Sequence, residues 1–298
     1  MLNRHIILIV IGAGLWGTIS WYVKQLSQFG FTSMEIVILR AWSTAIILVP
    51  FLLMTNRNQL KLKAWSDLKY FIGTGIFSII FFNYCMFTAI ELTTIPIATS
   101  LLYTAPAFVT ILSWILFKEQ LSLYKIIALF STLIGTCLVA GIAGSSWQNI
   151  HITGILFGLG SGFGYALYSI FSKYALQKYS SLSVTTFTFI VAAVALIPFF
   201  PYQAKMHLLL DPAPFLLAIG LGFLPTALAY ILYTYGLQFV EASKASILST
   251  IEPVVATFIG IVVFTEPFSI IQFIGMLAII GAVLIMQFSN KQQIRQGT

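Results

Sequence analysis

Ten apolar runs of about 20 residues follow one another along this chain, separated by short polar connections. A helix needs roughly 20 apolar residues to cross the ~30 Å hydrocarbon core of a bilayer. The strict alternation of apolar and polar residues that a membrane β-barrel requires is absent from the sequence. The pattern predicts an all-α integral membrane protein with ten transmembrane helices, over residues 6–26, 33–54, 68–90, 95–117, 122–143, 152–172, 183–201, 213–238, 243–264 and 268–288.

The apolar pattern repeats itself after 147 residues. Residues 98–122 (ATSLLYTAPAFVTILSWILFKEQLS) and 245–269 (ASILSTIEPVVATFIGIVVFTEPFS) share a hydroxyl-rich start, an internal proline and a glutamate after the apolar run. Each half holds five spans, and because five is odd the halves must enter the membrane from opposite sides. Such inverted repeats are typical of secondary transporters. We therefore predict two inverted five-helix repeats, residues 1–146 and 147–288, followed by a polar cytoplasmic tail at 289–298.

Composition and charge agree with a membrane location. Hydrophobic residues make up 59% of the chain and charged residues 8%, against roughly 25% charged residues in a soluble domain. Twelve Lys and Arg residues fall on the side of the N-terminus, and only Lys24 and Lys205 fall on the other side. By the positive-inside rule both termini are cytoplasmic. We expect a multi-pass protein of a bacterial plasma membrane; the net charge of +7 lies in short loops and does not indicate a nucleic-acid partner.

Glu252 is the acidic residue that the repeat does not explain, because Ala105 occupies the matching position. It falls about nine residues into its span, roughly 13 Å deep at ~1.5 Å per residue. Intramembrane carboxylates cost several kcal/mol and usually have a function. Glu252 is thus a candidate proton carrier or ligand for a substrate amine or cation, and the structural alternative is a Glu that is protonated or paired with another helix. Ser249 shares its helix face.

Arg40 is the other deep charge, in the second span. It could pair with Glu252 or neutralise a substrate carboxylate. Its long stem also allows the guanidinium to reach the membrane surface, and this anchoring role is the simpler interpretation.

The fourth and ninth spans each present a polar strip with a proline at its centre. The strips contain Thr99, Tyr103, Pro106, Thr110 and Ser113 in the fourth span and Ser246, Thr250, Pro253, Thr257 and Gly260 in the ninth. In lipid, such strips either face a neighbouring helix or cavity, or bond back to their own helix. Because proline removes a backbone donor, Pro106 and Pro253 are candidate hinges. Glu119 and Glu266, just after these spans, are expected to complement the start of the next helix.

Residues for enzymatic or ATP-driven chemistry are lacking in the apolar runs. The three histidines lie outside the deep parts of the spans, and no phosphate-binding P-loop motif occurs in the sequence. We therefore predict no catalytic residues, no metal site and no cofactor.

The chain resembles the EamA-type permeases of the drug/metabolite transporter superfamily. The resemblance rests on ten spans in two halves, on the segment WGTISWYVK (residues 16–24), on Arg40, and on the paired stretches Pro106–Glu119 and Pro253–Glu266. It implies a monomeric or weakly dimeric permease in the lipid bilayer, with a central cavity walled by the first, third, fourth, sixth, eighth and ninth spans. The cavity candidates that it implies are Trp16, Asn83, Tyr103, Tyr165, Tyr230, Ser249 and Glu252.

The function expected from this resemblance is secondary transport of a small metabolite. Family members commonly export amino acids, other metabolites or toxic compounds, by a proton gradient or by facilitated diffusion. Glu252 would couple proton and substrate movement, and the two halves would rock around the cavity. A membrane-embedded enzyme and a lipid-flipping or accessory subunit are the alternatives. The sequence contains no motif that determines the substrate, the direction of transport or the oligomeric state.

Overall fold

The computed structural model describes residues 4–141 and 151–296, and this part of the chain is helical without β-strands. Within these described ranges, nine helices are long and apolar enough to cross a membrane, and a tenth apolar helix is shorter, with 17 residues. The predicted boundary between the repeats, at residues 146 and 147, lies outside the described residues. The fold is thus all-α, with ten membrane helices in two inverted five-helix repeats, as predicted.

The ten helices are numbered in chain order. They are α1 (Arg4–Gln28), α2 (Ser33–Thr55), α3 (Trp65–Leu92), α4 (Ile95–Phe117), α5 (Leu123–Val139), α6 (Ile152–Ala175), α7 (Ser181–Phe199), α8 (Pro212–Phe239), α9 (Ala242–Phe264) and α10 (Ile270–Gln296). Short helical turns at Arg57–Leu60, Tyr202–Lys205 and Met206–Leu210 lie in the two longer connections. The segment predicted as a polar tail begins inside α10, whose backbone is helical to Gln296.

We call the end of the bundle where α1 begins the terminal face and the opposite end the distal face. Helix directions alternate along the chain, so α9 begins at the terminal face and α4 begins at the distal face. The two repeats therefore present equivalent elements at opposite faces.

Helices α4 and α9, which contain the two candidate hinge prolines, are interrupted at equivalent positions. Helix α4 consists of Ile95–Leu102 and Ala105–Phe117, and α9 consists of Ala242–Ser249 and Ile251–Phe264. Pro106 and Pro253 lie in the first turn of each second segment, where backbone N–H groups have no intrahelical acceptor and proline is tolerated. The kinks expected from the sequence are therefore short interruptions of the helices, at Tyr103 and Thr104 in α4 and at Thr250 in α9. A hinge role for the two prolines remains a prediction.

Close backbone contacts also repeat in the two halves. A Cβ atom on Gly75 of α3 would lie 2.8 Å from the Thr188 carbonyl oxygen in α7, and one on Gly222 of α8 would clash with Ser43 Cβ in α2. A hydroxyl group adds to the second contact, because Thr44 Oγ1 donates to the Gly222 carbonyl oxygen at 3.0 Å. Glycine allows these backbones to approach closely, as is common between membrane helices.

An ion pair between a buried carboxylate and a half-exposed lysine joins the start of α3 to the α6–α7 connection at the terminal face. Asp67, 1% exposed, accepts hydrogen bonds from Lys178 Nζ at 2.7 Å and from Tyr179 Oη at 2.9 Å. The hydrogen bond from Lys178 to this carboxylate raises the pKa of the lysine. The lysine therefore stays charged at neutral pH, and its contribution to stability is lost only as the pH rises through this raised pKa.

We expect Asp67→Asn to lower the melting temperature by several degrees, because the buried side chain then faces Lys178 without its charge. Asp211→Asn is the control, because the exposed Asp211 caps α8 by accepting from the Ala213 N–H, and asparagine caps equally well. Thermal unfolding of the purified protein near pH 7 measures both variants. Equal melting temperatures for the two would contradict a stabilising ion pair at Asp67.

Candidate substrate cavity

A cavity of about 250 Å³ lies between α1, α2, α3, α8 and α9. Its walls are mainly apolar, with two groups that can be charged. The residues around it are Trp16, Gly17, Ile19, Ser20, Val23, Ser33, Ile36, Val37, Arg40, Phe82, Asn83, Phe87, Leu221, Glu252 and Ala256. A largely apolar pocket with a few polar groups is typical of a small-molecule site.

Glu252 lies in the cavity wall at the interruption of α9. Thr250 is the residue before the second segment of that helix, so Glu252 falls in its first turn. Carboxylates are stabilised there, because unpaired N–H groups give a helix start partial positive charge. Tyr165 of α6 donates its hydroxyl to Glu252 Oε2 at 3.0 Å. The break in α9 thus places an acidic group at the centre of the bundle, held by a phenol from the same repeat.

Arg40 also lies in the wall of this cavity. It is only 6% exposed, and its Nε and Nη2 atoms have no hydrogen-bond partner among the described residues. No ion pair joins it to Glu252 within that part of the chain. This burial favours the alternative in which Arg40 faces the cavity over the anchoring interpretation. Two buried guanidinium nitrogens without partners are costly, and their place in a cavity wall suits binding of an anionic group.

Aromatic rings separate this cavity from a smaller one deeper in the bundle. The ring centroids of Trp16 lie 4.9 Å from those of Tyr230 and Tyr233 and 6.1 Å from that of Tyr165. The smaller cavity, about 10 Å³, is lined by Trp16, Ser78, Phe82, Tyr165, Tyr168, Ser169, Tyr230 and Tyr233. Trp16 Nε1 is buried and has no hydrogen-bond partner in the described chain, so one polar atom of this cluster is free to bind a ligand.

The seven predicted cavity residues fall into three groups. Trp16, Asn83 and Glu252 line the main cavity. Tyr165 and Tyr230 line the smaller one behind it. Tyr103 and Ser249 line neither of these two cavities: Tyr103 is 8% exposed at the break of α4, and Ser249 is 3% exposed and donates to the Ser246 carbonyl oxygen at 2.7 Å. The Ser249 side chain is thus held within its own helix, and Tyr103 is buried without lining either cavity.

The hydroxyl strips do not wall the cavity either. Thr99, Thr110 and Thr250 each donate to a carbonyl oxygen of their own helix, at 2.6 to 2.7 Å. Intrahelical hydrogen bonds satisfy hydroxyl groups in an apolar environment. These three residues therefore follow the interpretation in which the strips bond back to their own helix rather than face a cavity.

Helix α2 provides a wall that the sequence analysis missed. Ser33, Ile36, Val37 and Arg40 follow the i, i+3, i+4, i+7 spacing of one helix face and all line the cavity. Helix α4, included among the walls on the basis of the family resemblance, lines neither cavity. The spacing was visible in the sequence, but the apolar members of this face look like ordinary lipid-facing residues.

The main cavity extends toward the distal face and is closed toward the terminal face. Its outer lining includes Val23 near the end of α1, Ser33 at the start of α2 and Phe87 near the end of α3. At the terminal face, Lys173 Nζ donates to the carbonyl oxygens of Leu237 and Val240 at 2.7 and 2.6 Å and joins α6 to the end of α8. The structure thus has access to the cavity from one side.

Comparison with known proteins identifies relatives over nearly the whole chain. The chain is 31% identical over 279 residues to an uncharacterized transporter of Archaeoglobus fulgidus, covering 93% of this chain and 94% of that protein. It is 22% identical over 291 residues to the uncharacterized inner membrane transporter YicL of Salmonella typhimurium, covering 96% of each. A solved crystal structure shares the fold with a TM-score of 0.79, at 19% identity over 98% of this chain and 99% of that one.

The family model matches both halves separately. Residues 3–141 and 152–288 each match the EamA-like transporter family, and the two matches together cover most of the chain. The repeated helices, the central cavity and these matches show that the chain is a multi-pass membrane protein and belongs to the EamA-like transporter family.

Proposed function

We propose that the protein is a secondary transporter that exports small metabolites, such as amino acids or amphipathic cationic compounds, by alternating access. The observation that supports this most is the single cavity that contains both Glu252 and the unpaired Arg40 and extends to one face only. An acidic and a basic group in one pocket suit a substrate with a carboxylate and an amine. The aromatic wall suits an apolar or cationic side group.

Substrate contact in this proposal is made by Trp16, Asn83 and Glu252, with Tyr165 and Tyr230 supporting them from behind. Arg40 binds the carboxylate of the substrate. Asn83 is 5% exposed and donates to the Ile79 carbonyl oxygen at 2.7 Å, which leaves its side-chain carbonyl oxygen as an acceptor. We assign no direct contact to Tyr103 or Ser249 in this conformer.

Glu252 couples transport to protons in this proposal. When the substrate amine leaves, the carboxylate must take up a proton or bear the cost of an unpaired charge inside the membrane. The terminal face is cytoplasmic, as the positive-inside rule suggests, and the host membrane is a bacterial plasma membrane. The described conformer is then open to the outside.

The protein acts in the bilayer as a monomer or weak homodimer in this proposal, with a small molecule as its cargo. An enzyme of the same fold would need nucleophilic or metal-binding groups near the cavity. Among the described residues no group of three His, Cys, Asp or Glu side chains could hold a metal ion, and the cavity lining contains no histidine or cysteine. Transport is therefore favoured over enzymatic activity.

A ligand-stabilisation screen tests the substrate class. Purified protein is heated with zwitterionic amino acids, polyamines or quaternary amines, and the change in melting temperature is recorded. Zwitterions are expected to stabilise the wild type, and both Arg40→Gln and Glu252→Gln should lose this effect. Asp211→Asn, at the exposed start of α8, is the control that should keep it. Stabilisation by amines alone that persists in Arg40→Gln would contradict the carboxylate site.

A further inference from the structure

Glu119 and Glu266 occupy equivalent places in the two repeats, just after α4 and α9. Each follows a residue with left-handed backbone, Lys118 (φ 54°) or Thr265 (φ 52°). Their own N–H groups donate to the carbonyl oxygens of Ser113 at 3.3 Å and of Gly260 at 3.1 Å. The backbone of the two loops is therefore the same, and the loops lie at opposite faces of the bundle.

The side chains of the two glutamates are not in the same state. Glu119 is 8% exposed, and it accepts from the Ala242 N–H at 2.6 Å, the Ser243 N–H at 3.1 Å and the Ser243 hydroxyl. It thus caps the start of α9, which belongs to the other repeat. The role expected from the sequence, complementing the next helix, describes only part of what Glu119 does. Its carboxylate lies 3.9 Å from Lys125 Nζ in the first turn of α5, but its hydrogen bonds go to residues more than 120 positions away.

Glu266 makes no equivalent contact. Its side chain is 55% exposed and forms an ion pair with Lys24 at 3.0 Å. The repeat would bring it to the start of α4, where Ile95 and Pro96 correspond to Ala242 and Ser243. Ile95 is 65% exposed, so this start of α4 is not covered by the loop after α9. The contact between repeats is present at the closed face and missing at the open one.

We infer that Glu119 and Glu266 are the alternating gate residues of this transporter, each capping the start of the opposite repeat's broken helix in one of the two conformers. In the described conformer Glu119 caps α9 and closes the terminal face. In the opposite conformer Glu119 releases α9, and Glu266 leaves Lys24 to cap α4 at the distal face. The breaks in α4 and α9 allow their first segments to move separately. This inference rests on the proposed alternating access.

The two contacts are expected to differ in strength. Pro96 has no N–H group and no hydroxyl, whereas Ser243 supplies both to Glu119. Of the two α4 residues that correspond to Ala242 and Ser243, only Ile95 therefore has an N–H group that could donate to Glu266. Because hydrogen bonds to a charged group are the stronger ones, the protein without substrate should favour the conformer that is closed at the terminal face.

Cysteine labelling of the full-length protein tests the gate. In a background without Cys85 and Cys137, one probe is Ser20→Cys, in the exposed part of the cavity lining, and the other is Ser246→Cys, a site 1% exposed in the first segment of α9. Glu119→Gln keeps the size of the side chain but removes its negative charge. It also replaces one acceptor oxygen by an NH2 group, which cannot accept a hydrogen bond from the N–H groups of α9. We expect maleimide labelling to accelerate at position 246 by up to roughly tenfold, the effect of losing one charge-assisted hydrogen bond. Labelling at position 20 should slow by a smaller factor, because the conformer that exposes this position is already the major one.

Two further variants separate gating from a structural role. Ser243→Ala removes one donor to Glu119 and should shift both probes in the same directions by a smaller factor. Glu266→Gln should leave labelling at position 20 unchanged, because Glu266 does not hold this conformer. Faster labelling at both positions in Glu119→Gln would show local unfolding, and unchanged labelling would show no gating; either result overturns the inference. Labelling needs no substrate, so a gate that responds while no compound is transported would fault only the proposed function.

Discussion

Glu252→Gln is expected to abolish transport driven by a pH gradient while leaving the folded protein intact. Glutamine has nearly the same size and can still accept the hydrogen bond that Tyr165 donates at 3.0 Å. It cannot release or take up a proton, and it cannot neutralise a substrate amine. The attraction between a carboxylate and a substrate amine is strong inside the membrane. Because the variant loses it, we expect gradient-driven transport to fall by about 100-fold or more, which corresponds to ~2.7 kcal/mol.

The measurement uses proteoliposomes with an imposed pH gradient and the compound that stabilises the protein best. Tyr165→Phe is the matched control, because it removes the hydroxyl that contacts Glu252 and keeps the titratable group. It should retain pH-gradient-driven transport at a reduced rate. Undiminished gradient-driven transport by Glu252→Gln would exclude a coupling role for this residue. Equal loss of gradient-driven flux and of exchange without a gradient would instead indicate a role in substrate binding alone.

Gly17→Ala is expected to destabilise the protein and to reduce transport, although alanine favours helices. A Cβ atom at this position would lie 2.7 Å from the Glu252 carbonyl oxygen, 2.7 Å from Val255 Cβ and 3.0 Å from the Ala256 nitrogen. These are mostly backbone contacts, so the added methyl must push α1 away from α9 beside the cavity. Overpacking of this kind costs about 1–3 kcal/mol, more than the ~1 kcal/mol that helix propensity returns.

Gly14 provides the control within the same helix against the same neighbour. A Cβ atom on Gly14 would meet only Val255 Cγ2, at 3.7 Å, which is an ordinary contact. Gly14→Ala should therefore leave the melting temperature unchanged or raise it slightly, whereas Gly17→Ala lowers it. Thermal unfolding in detergent and transport in proteoliposomes test both. Similar melting temperatures for the two variants would show that the crossing of α1 and α9 tolerates more space than the structure indicates.

The sequence predicted the spans and the repeat well, because both depend on local composition. Lipid excludes polar backbone, so each apolar run of about 20 residues must form a helix. The interruptions of α4 and α9 were visible as prolines, but their form was not. Proline alone does not determine whether a helix bends or is interrupted. Only the structure showed that a new helical segment begins just before Pro106 and Pro253.

The site was predicted less completely than the fold. Glu252 and Trp16 were found because a deep charge and a deep aromatic stand out in an apolar run. Arg40 was found but interpreted as an anchor, since a guanidinium on a long stem can face either water or the interior. Ser33 and Val37 were missed, because small and apolar side chains give no chemical signal.

The sequence alone determined the class of protein, its helices and its inverted halves, since these follow from hydrophobic length and from repetition along the chain. The tertiary structure decided which of the deep polar side chains share a cavity, that Arg40 is unpaired, and that Glu119 contacts the opposite repeat. These features join residues that are distant in sequence and depend on how the helices pack. Hydrophobic patterning specifies that a helix lies in the membrane. It does not specify which helices pack against each other, because that depends on contacts made by glycines and polar groups.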